Sequence, residues 1–233
     1  MRGVTLPGQV KDFDLEVRSG ECVGLVGLAG SGKEDVAAAA VGLAEPSHGT
    51  VLIDGVPAPT GSVGAMRAMG VAFVARDRHV QGLFPLMTLA DNLTVTIWEK
   101  LGQLGFVSRS AQMRRAHTQI ADLGIVASSG EQPIGELSGG NQRKAMVGRA
   151  LASEPKVLVL AAPTQGVDIA SKRALFEIVE GAKKRGVAIL VVSDDLDELV
   201  ICDRVEVIFR GRIVRSFERG WGEHEMVTAI EGL

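Results

Sequence analysis

The chain has 233 residues, 46% apolar and 23% charged, with a formal net charge of −3. That composition suits one large globular domain or two small ones and excludes whole-chain disorder. Aromatic residues make up 4% and tyrosine is absent, which with the balanced charge argues against a nucleic-acid surface of basic patches and stacking platforms. The longest apolar stretches, 36–44 and 157–163, fall short of the roughly 20 residues a membrane-spanning helix needs. Where a signal peptide would place its apolar core stand Lys11, Asp12, Asp14, Glu16 and Arg18, and Cys22 and Cys202 have neither disulfide-framework nor CxxC spacing, so a reducing, cytoplasmic setting is expected.

In chain order, Asp12 to Val17 alternates as a half-exposed strand, Glu21 to Gly27 reads as a buried strand, and Lys33 to Leu43 as an Ala-rich helix. Thr50 to Ile53, followed by Asp54-Gly55, predicts another strand and a turn, so a small antiparallel sheet is expected beside the core. Gly70 to Val74 has core-strand character. From Met87 to Ala152 strand signals vanish, and helices are predicted over Thr88 to Trp98, Ala111 to Leu123 and Gly140 to Ala152. Strands resume at Lys156 to Leu160 and Val187 to Val192. Between them a helix from Ser171 puts Leu175, Ile178, Val179 and Ala182 on one face and closes on Lys183, Lys184, Arg185 and Gly186. Arg204 to Phe209 and Arg212 to Phe217 predict a closing hairpin, and Gly222 to Ile230 a terminal helix. Alternating strands and helices point to an α/β fold.

Two segments carry chemistry. Gly27-Leu28-Ala29-Gly30-Ser31-Gly32-Lys33 follows a predicted strand and opens a helix, the context of a phosphate-binding P-loop. Glycines let backbone N–H groups curl around phosphate oxygens, the helix N-terminus adds its positive dipole end, and Lys33 can reach the β and γ phosphates. A Gly-rich turn with a solvent-facing lysine would use the same residues, whereas a dinucleotide fingerprint lacks its third glycine or alanine. The P-loop pattern continues with Ser or Thr as a Mg²⁺ ligand, but Glu34 stands here; its carboxylate could ligate the ion and would also repel phosphate. The second segment, Leu137-Ser138-Gly139-Gly140-Asn141-Gln142, precedes a predicted helix and is either a second anion cradle or a helix cap.

Taken together with the apolar strand that follows, these segments resemble the ATP-binding cassette (ABC) ATPases over nearly the whole chain. The Leu-Ser-Gly-Gly-Asn-Gln form, with Asp77-Arg78 and Gly82-Leu83 upstream, is most similar to the ribose- and galactose-type monosaccharide importers, and the two upstream pairs resemble the second of their tandem cassettes. The resemblance implies a P-loop NTPase (RecA-like) α/β core with a small antiparallel β subdomain over 1–86 and 153–233, and a helical signature subdomain over 87–152, together one nucleotide-binding domain. It implies ATP bound by Gly27, Leu28, Ala29, Gly30, Ser31, Gly32, Lys33 and Glu34. Cassettes of the family pair head to tail, so Leu137 to Gln142 would complete the ATP site of a partner, and Asp168 matches the loop that couples the two sites. The implied partners are a second cassette, in tandem or as a homo- or heterodimer, transmembrane permease subunits, and indirectly a periplasmic or extracellular sugar-binding protein, with no nucleic acid. The implied location is the inner face of the cell membrane, peripherally bound.

Several positions depart from the family pattern. Asp-Glu-Pro-Thr is replaced by Ala161-Ala162-Pro163-Thr164, the Gln or Glu of the γ-phosphate-sensing loop by Arg76, and the histidine after Val191-Val192-Ser193 by Asp194; no aromatic stands near Val4 to stack on adenine. Losing the metal carboxylate, the catalytic carboxylate and the histidine together leaves phosphoryl transfer without its positioning groups. The expectation is a degenerate site with no catalytic residue in cis and a poor hold on Mg²⁺, beside an intact signature. The alternatives are a non-hydrolysing regulatory or structural cassette, or a non-transport ABC protein, for which neither basic patches nor a long coiled coil is visible. His48, His79, His117 and His224 lack metal-ligand spacing. Arg109, Arg114 and Arg115 read as a solvated face, Trp98 and Trp221 as packing anchors, and Asp194, Asp195, Asp197 and Glu198 as acidic complements to a helix dipole.

Overall fold

The computed structural model describes residues 1–103 and 106–233. The elements run β1 (Arg2–Thr5), β2 (Cys22–Val26), α1 (Lys33–Ala40), β3 (His48–Thr50), β4 (Leu52–Ile53), β5 (Val56–Pro57), α2 (Val63–Ala68) and β6 (Val71–Val74). A helical stretch follows with α3 (Leu89–Thr94), β7 (Gly102–Gln103), β8 (Phe106–Val107), α4 (Arg109–Asp122) and α5 (Gly139–Ala152). The chain closes with β9 (Val157–Ala161), α6 (Ile169–Lys184), β10 (Ala188–Ser193), α7 (Leu196–Leu199), β11 (Arg204–Phe209), β12 (Arg212–Glu218) and α8 (Glu223–Glu231). Two units result, Met1–Phe73 with Lys156–Ala162 and Ala182–Leu233, and Val74–Pro155 with Pro163–Gly181.

The first unit is built on a six-stranded sheet in the order β12-β11-β2-β10-β9-β6. β11, β2, β10 and β9 pair in parallel, and β12 closes one edge antiparallel to β11. β2 and β10 are buried along their full length, which is why they read as unbroken apolar runs: a parallel strand covered on both faces has no solvent side to mark. Val26 lies opposite Ser193, and Val192 opposite Ala161, so the carboxyl ends of β2, β10 and β9 stand side by side, the edge where open α/β sheets bind ligands. Phe13, Leu25, Val36, Val159, Leu190 and Ile208 belong to one apolar cluster.

The antiparallel elements differ in detail from the expected sheet. β1 pairs with β3 and β4 with β5, as separate two-stranded ladders, so the expected Thr50–Ile53 strand is interrupted at Val51. Asp54 and Gly55, at φ 51° and 77°, supply the positive φ pair of a tight hairpin turn. The expected strand at Asp12–Val17 does not form. Asp12 sits at φ 51°, outside extended space, and Phe13 makes a single bridge to Val4. α1 ends at Ala40 rather than Leu43, because Gly42 turns left-handed at φ 79°. Cys22 and Cys202, distant in sequence, bring their sulfurs to 3.7 Å in the core as free thiols, and hydrogen bonding to Cys22 together with burial pushes the Cys202 thiol well up.

In the second unit α3, α4 and α5 pack around Leu89, Leu93, Ala116, Ile134, Leu137 and Ala145. The helix expected to reach Trp98 stops as an α-helix at Thr94 and continues as a 3₁₀ helix over Val95–Lys100, kinked at Ile97; the β-branched run Thr94-Val95-Thr96-Ile97 disfavours regular helix. Trp98 is half-buried, and its Nε1 donates to Thr94 Oγ1 at 3.2 Å. The stretch expected to be free of strands contains the β7–β8 hairpin, whose two-residue strands are too short to show alternation. Arg109 is more than a solvated charge: it pairs with Asp91 at 3.3 Å and with Glu131, and donates to Gln112 at 2.7 Å. Arg143, 2% exposed, fans its guanidinium over the carbonyls of Ala75, Arg76 and Gln165, each at 3.1 Å. Among the described residues no helix is long and apolar enough to cross a membrane.

A capping box starts α3, with Asp91 N donating to Thr88 Oγ1 at 3.1 Å and Thr88 N to the Asp91 carboxylate at 3.2 Å. Burial works to raise the Asp91 carboxyl, but hydrogen bonds from Thr88 and Gln112 outweigh it and hold the group below the usual carboxylate range. A depressed folded-state pKa contributes stability that is present above about pH 4 and is lost as pH falls through the folded value. Asp91→Asn is therefore expected to shrink the loss of stability on acidification, and urea melts of parent and variant at neutral and acid pH measure it.

Candidate nucleotide site

Gly27 and Gly32 make the reversal from β2 into α1 possible. A Cβ on Gly27 would lie 2.2 Å from the Ile208 carbonyl oxygen and 2.7 Å from Ser31 Oγ, and Gly32 has φ 102° with Val10 Cγ2 2.6 Å from where its Cβ would be. Ser31 N donates to the Leu28 carbonyl at 3.0 Å, and Gly211 N donates to the Ser31 carbonyl at 2.8 Å, which pins the loop to the β11–β12 turn. Leu28, Ala29 and Gly30 are exposed, whereas Ser31, Gly32 and Lys33 are buried. Ser31 Oγ has no hydrogen-bond partner among the described residues. A buried hydroxyl left open, in a glycine-held loop at the start of a helix, suits a phosphate oxygen.

Lys33 is the first residue of α1 and 1% exposed. Its Nζ donates to the Leu28 carbonyl at 3.2 Å and pairs with Glu34 Oε1 at 2.9 Å and Asp194 Oδ1 at 2.6 Å. Sheet register explains the second pair: with Val26 opposite Ser193, the residues that follow, Gly27 and Asp194, leave the sheet together. The Asp194 segment is itself held. Ser193 Oγ donates to the buried Glu198 carboxylate and accepts from Asp195 N at 3.0 Å, and Asp195 caps α7 by accepting from Asp197 N at 2.9 Å.

At the end of β9, Ala161 stands beside Val192, and Ala162 N donates to the Val192 carbonyl at 2.9 Å. Ala162 is buried at φ 44°, a left-handed conformation uncommon for alanine. Neither methyl offers an oxygen to a cation, and the carboxylates of Glu34 and Asp194 are both drawn to Lys33. No group of three or more His, Cys, Asp or Glu suited to a metal occurs among the described residues. Mg²⁺ held beside a nucleotide takes oxygens from one or two carboxylates together with the phosphates, and both carboxylates at this edge, Glu34 and Asp194, are paired with Lys33.

The remaining candidates lie in the second unit. Ser138 caps α5: its exposed Oγ accepts from Asn141 N at 3.4 Å and Asn141 Nδ2 at 3.0 Å, leaving its own proton to donate. Gly139 would bring a Cβ within 3.4 Å of the Arg78 guanidinium, and Gly140 one within 2.1 Å of Ser171 Oγ. Leu137 and Gln142 are buried, and Gln142 Nε2 donates to the carbonyls of Ile134, Gly135 and Leu137 at 3.0–3.3 Å. Asp168 accepts from Ser171 N at 2.9 Å and Ser171 Oγ at 2.8 Å; the backbone bond, then the hydroxyl, hold its carboxyl below the usual range. Arg76 Nε donates to Gln165 Oε1 at 3.3 Å.

Sequence reasoning missed two features of this chemistry. Asp194 reads in the sequence as a lost histidine and as an acidic complement to a helix dipole, not as a partner of Lys33, although an acidic residue directly after a core strand that pairs with the P-loop strand was the available signal. Arg143 reads as an ordinary helix residue, and nothing local marks it.

Residues 10–165 match the ABC transporter family. The chain belongs to that family. The ribose import ATP-binding protein RbsA 2 of Rubrobacter xylanophilus is 35% identical over 230 residues, covering 98% of this chain and 44% of that protein. The galactofuranose transporter ATP-binding protein YtfR of Escherichia coli strain K12 is 38% identical over 206 residues, covering 88% and 41%. This ABC chain therefore spans less than half the length of these relatives. Among solved structures, the dimeric ATP-binding cassette MJ0796 in a post-hydrolysis state with ADP and Pi superposes with a TM-score of 0.80 at 22% identity, covering 94% of this chain and 98% of that one. A nucleotide-free ATP-binding cassette from an ABC transporter gives 0.80 at 22%, covering 99% and 93%. The fold is thus the ABC type of P-loop NTPase.

The two glycines nearest the turn separate packing from backbone strain. Gly27→Ala meets a main-chain oxygen that cannot move aside and is expected to cost roughly 2–4 kcal/mol. Gly30→Ala has open space but φ 75°, so it is expected to cost about 1–2 kcal/mol of backbone strain. Denaturant melts of both variants rank them.

Proposed function

We propose that the chain is an ATP-binding cassette of an importer for simple sugars of the ribose or galactose class, degenerate in its own catalytic site, whose Leu137 to Gln142 segment completes the ATP site of a second cassette. The sugars that its relatives import support the sugar class, and their length suits a protein of which this chain is one of two cassettes. The Asp77-Arg78 and Gly82-Leu83 pairs support the second position. On this reading the cassette works peripherally at the inner membrane face against permease subunits, supplied indirectly by a sugar-binding protein.

The observation that carries the degenerate site is the setting of Lys33: its ammonium lies between Glu34 and Asp194, while β9 ends on Ala161 and Ala162. Phosphoryl transfer needs a positioned metal and a group that orients the attacking water. No side chain at 161 or 162 can serve either end. Gly27 to Lys33 would bind the phosphates of ATP through backbone N–H groups and Ser31, so binding without turnover is the expected behaviour. In the signature, exposed Ser138 and half-buried Gly139 are the positions open to a partner's γ-phosphate, whereas Leu137 and Gln142 shape the turn beneath them. Asp168, with its ionised carboxylate fixed by Ser171, is the coupling residue toward that partner.

Isolated chain is expected to show no Mg²⁺-dependent phosphate release above background; release that disappears in Lys33→Ala would overturn the reading. In the assembled importer, Ser138→Arg places a bulky cation where a γ-phosphate docks and is expected to lower transport by roughly 100-fold or more, and Lys33→Ala to lower it far less. Equal tolerance of both changes favours instead a structural module, the second reading consistent with the lost carboxylates. A thermal melt of Ser138→Arg matching the parent is required first, because a cation at a helix N-terminus opposes the dipole.

A further inference from the structure

Two departures from the family pattern that lie far apart in sequence, Glu34 and Asp194, meet on one nitrogen. An ammonium has three N–H donors. At Lys33 three acceptors surround it, the Leu28 carbonyl, Glu34 Oε1 and Asp194 Oδ1, at 3.2, 2.9 and 2.6 Å, and the side chain is 1% exposed. Nearby, Ser31 Oγ is buried with no partner among the described residues. The loop thus holds one polar group open while its charge is taken.

We infer that Glu34 and Asp194 form an intramolecular latch on Lys33, a built-in stand-in for the nucleotide's phosphates, and that Asp194 sets how tightly the loop binds a phosphate anion. The inference rests on the reading of Gly27 to Lys33 as a phosphate loop. A phosphate reaches the Lys33 nitrogen by displacing a carboxylate oxygen. The two displaced groups do not leave equally. Glu34 is on the first turn of α1, half exposed, and swings into water. Asp194 is about as exposed, but its side chain is one methylene shorter and its main chain is tied by the Asp195 N–H bond to Ser193 Oγ and by the Asp195 cap on α7, so its carboxylate swings through a smaller arc and stays closer to any anion that replaces it. The latch therefore satisfies a buried charge in the free chain and repels the phosphate in the bound one. Both effects weaken binding.

Calorimetry with Mg²⁺-free ATP and with pyrophosphate, on parent, Asp194→Asn and Glu34→Gln, tests the latch together with thermal melts of the ligand-free proteins. Asp194→Asn is expected to bind both probes about 10-fold or more tighter than parent, in line with the removal of a like charge within several ångströms in a partly buried site. Glu34→Gln, whose parent carboxylate is free to swing away, is expected to show a smaller gain and serves should Asp194→Asn fail to fold. The melts add a readout independent of any ligand. Asp194→Asn lowers the melting temperature, and combining it with Lys33→Met lowers it by less than the sum of the single changes, as directly coupled partners must. Measurable parent binding that neither Asp194→Asn nor Glu34→Gln strengthens overturns the latch and leaves the phosphate loop standing. Additive melting shifts overturn the pairing on which the latch depends. Absence of binding in all three proteins overturns the phosphate loop and the latch with it.

Discussion

A lysine ammonium shut away from water has to be met by acceptors, because an unpaired buried charge costs more than the folded state can supply. At Lys33 that demand organises the end of the sheet. It explains why a carboxylate can replace the small hydroxyl residue of the usual pattern at position 34, and why another stands where β10 runs out. The pairing of β2 with β10 puts the second carboxylate in reach, and the bonds among Ser193, Asp195 and Glu198 keep the chain there from turning away. Remove the need to satisfy that one nitrogen, and the acidic residues around it would repel one another with no purpose.

The second unit satisfies its polar groups in another way. Arg143 and Gln142 are adjacent on α5, both buried, and the Arg143 Nη groups and Gln142 Nε2 all donate to backbone carbonyls. These carbonyls lie in turns and in the short 3₁₀ helix Ile134–Glu136, where regular pairing leaves acceptor capacity open, so a side chain with several fixed N–H groups is the economical partner. At the same helix start Ser138 is exposed, with Gly139 and Asn141 half-buried beside it and Gly140 buried against Ser171. One short sequence therefore splits into an inward part that builds the turn and an outward part left to meet something else.

Much of the sheet was legible in advance. Continuous apolar runs at β2, β9 and β10 have a single physical explanation, burial on both faces, and their glycine-rich and charged boundaries mark their ends. The segment from Asp12 to Val17 misleads for an instructive reason. Its alternation is real, with Phe13 and Leu15 buried and Asp12, Asp14 and Glu16 exposed, but alternation reports burial and not a ladder, and a positive φ at Asp12 denies it one. The glycine-rich turn from β2 into α1 and the Leu137 to Gln142 turn were readable because glycines and caps act locally. The pair between Lys33 and Asp194, the sulfur contact of Cys22 with Cys202 and the reach of Arg143 were not, since each depends on register or packing between segments far apart in the chain.

That separation also orders events in time. The sheet of the first unit is assembled from three stretches, and its central neighbours β2 and β10 pair Cys22 with Ile189, whereas the second unit is nearly one continuous stretch of chain. Contacts of long sequence separation form slowly, and a chain made from its N-terminus cannot form them until the later partner exists. During synthesis β2 therefore has no partner at β10 until the chain of the second unit has been made. Within this sheet, the strand that leads into the phosphate-loop segment precedes its neighbour β10 by more than 160 residues of chain and is enclosed only when that neighbour is in place.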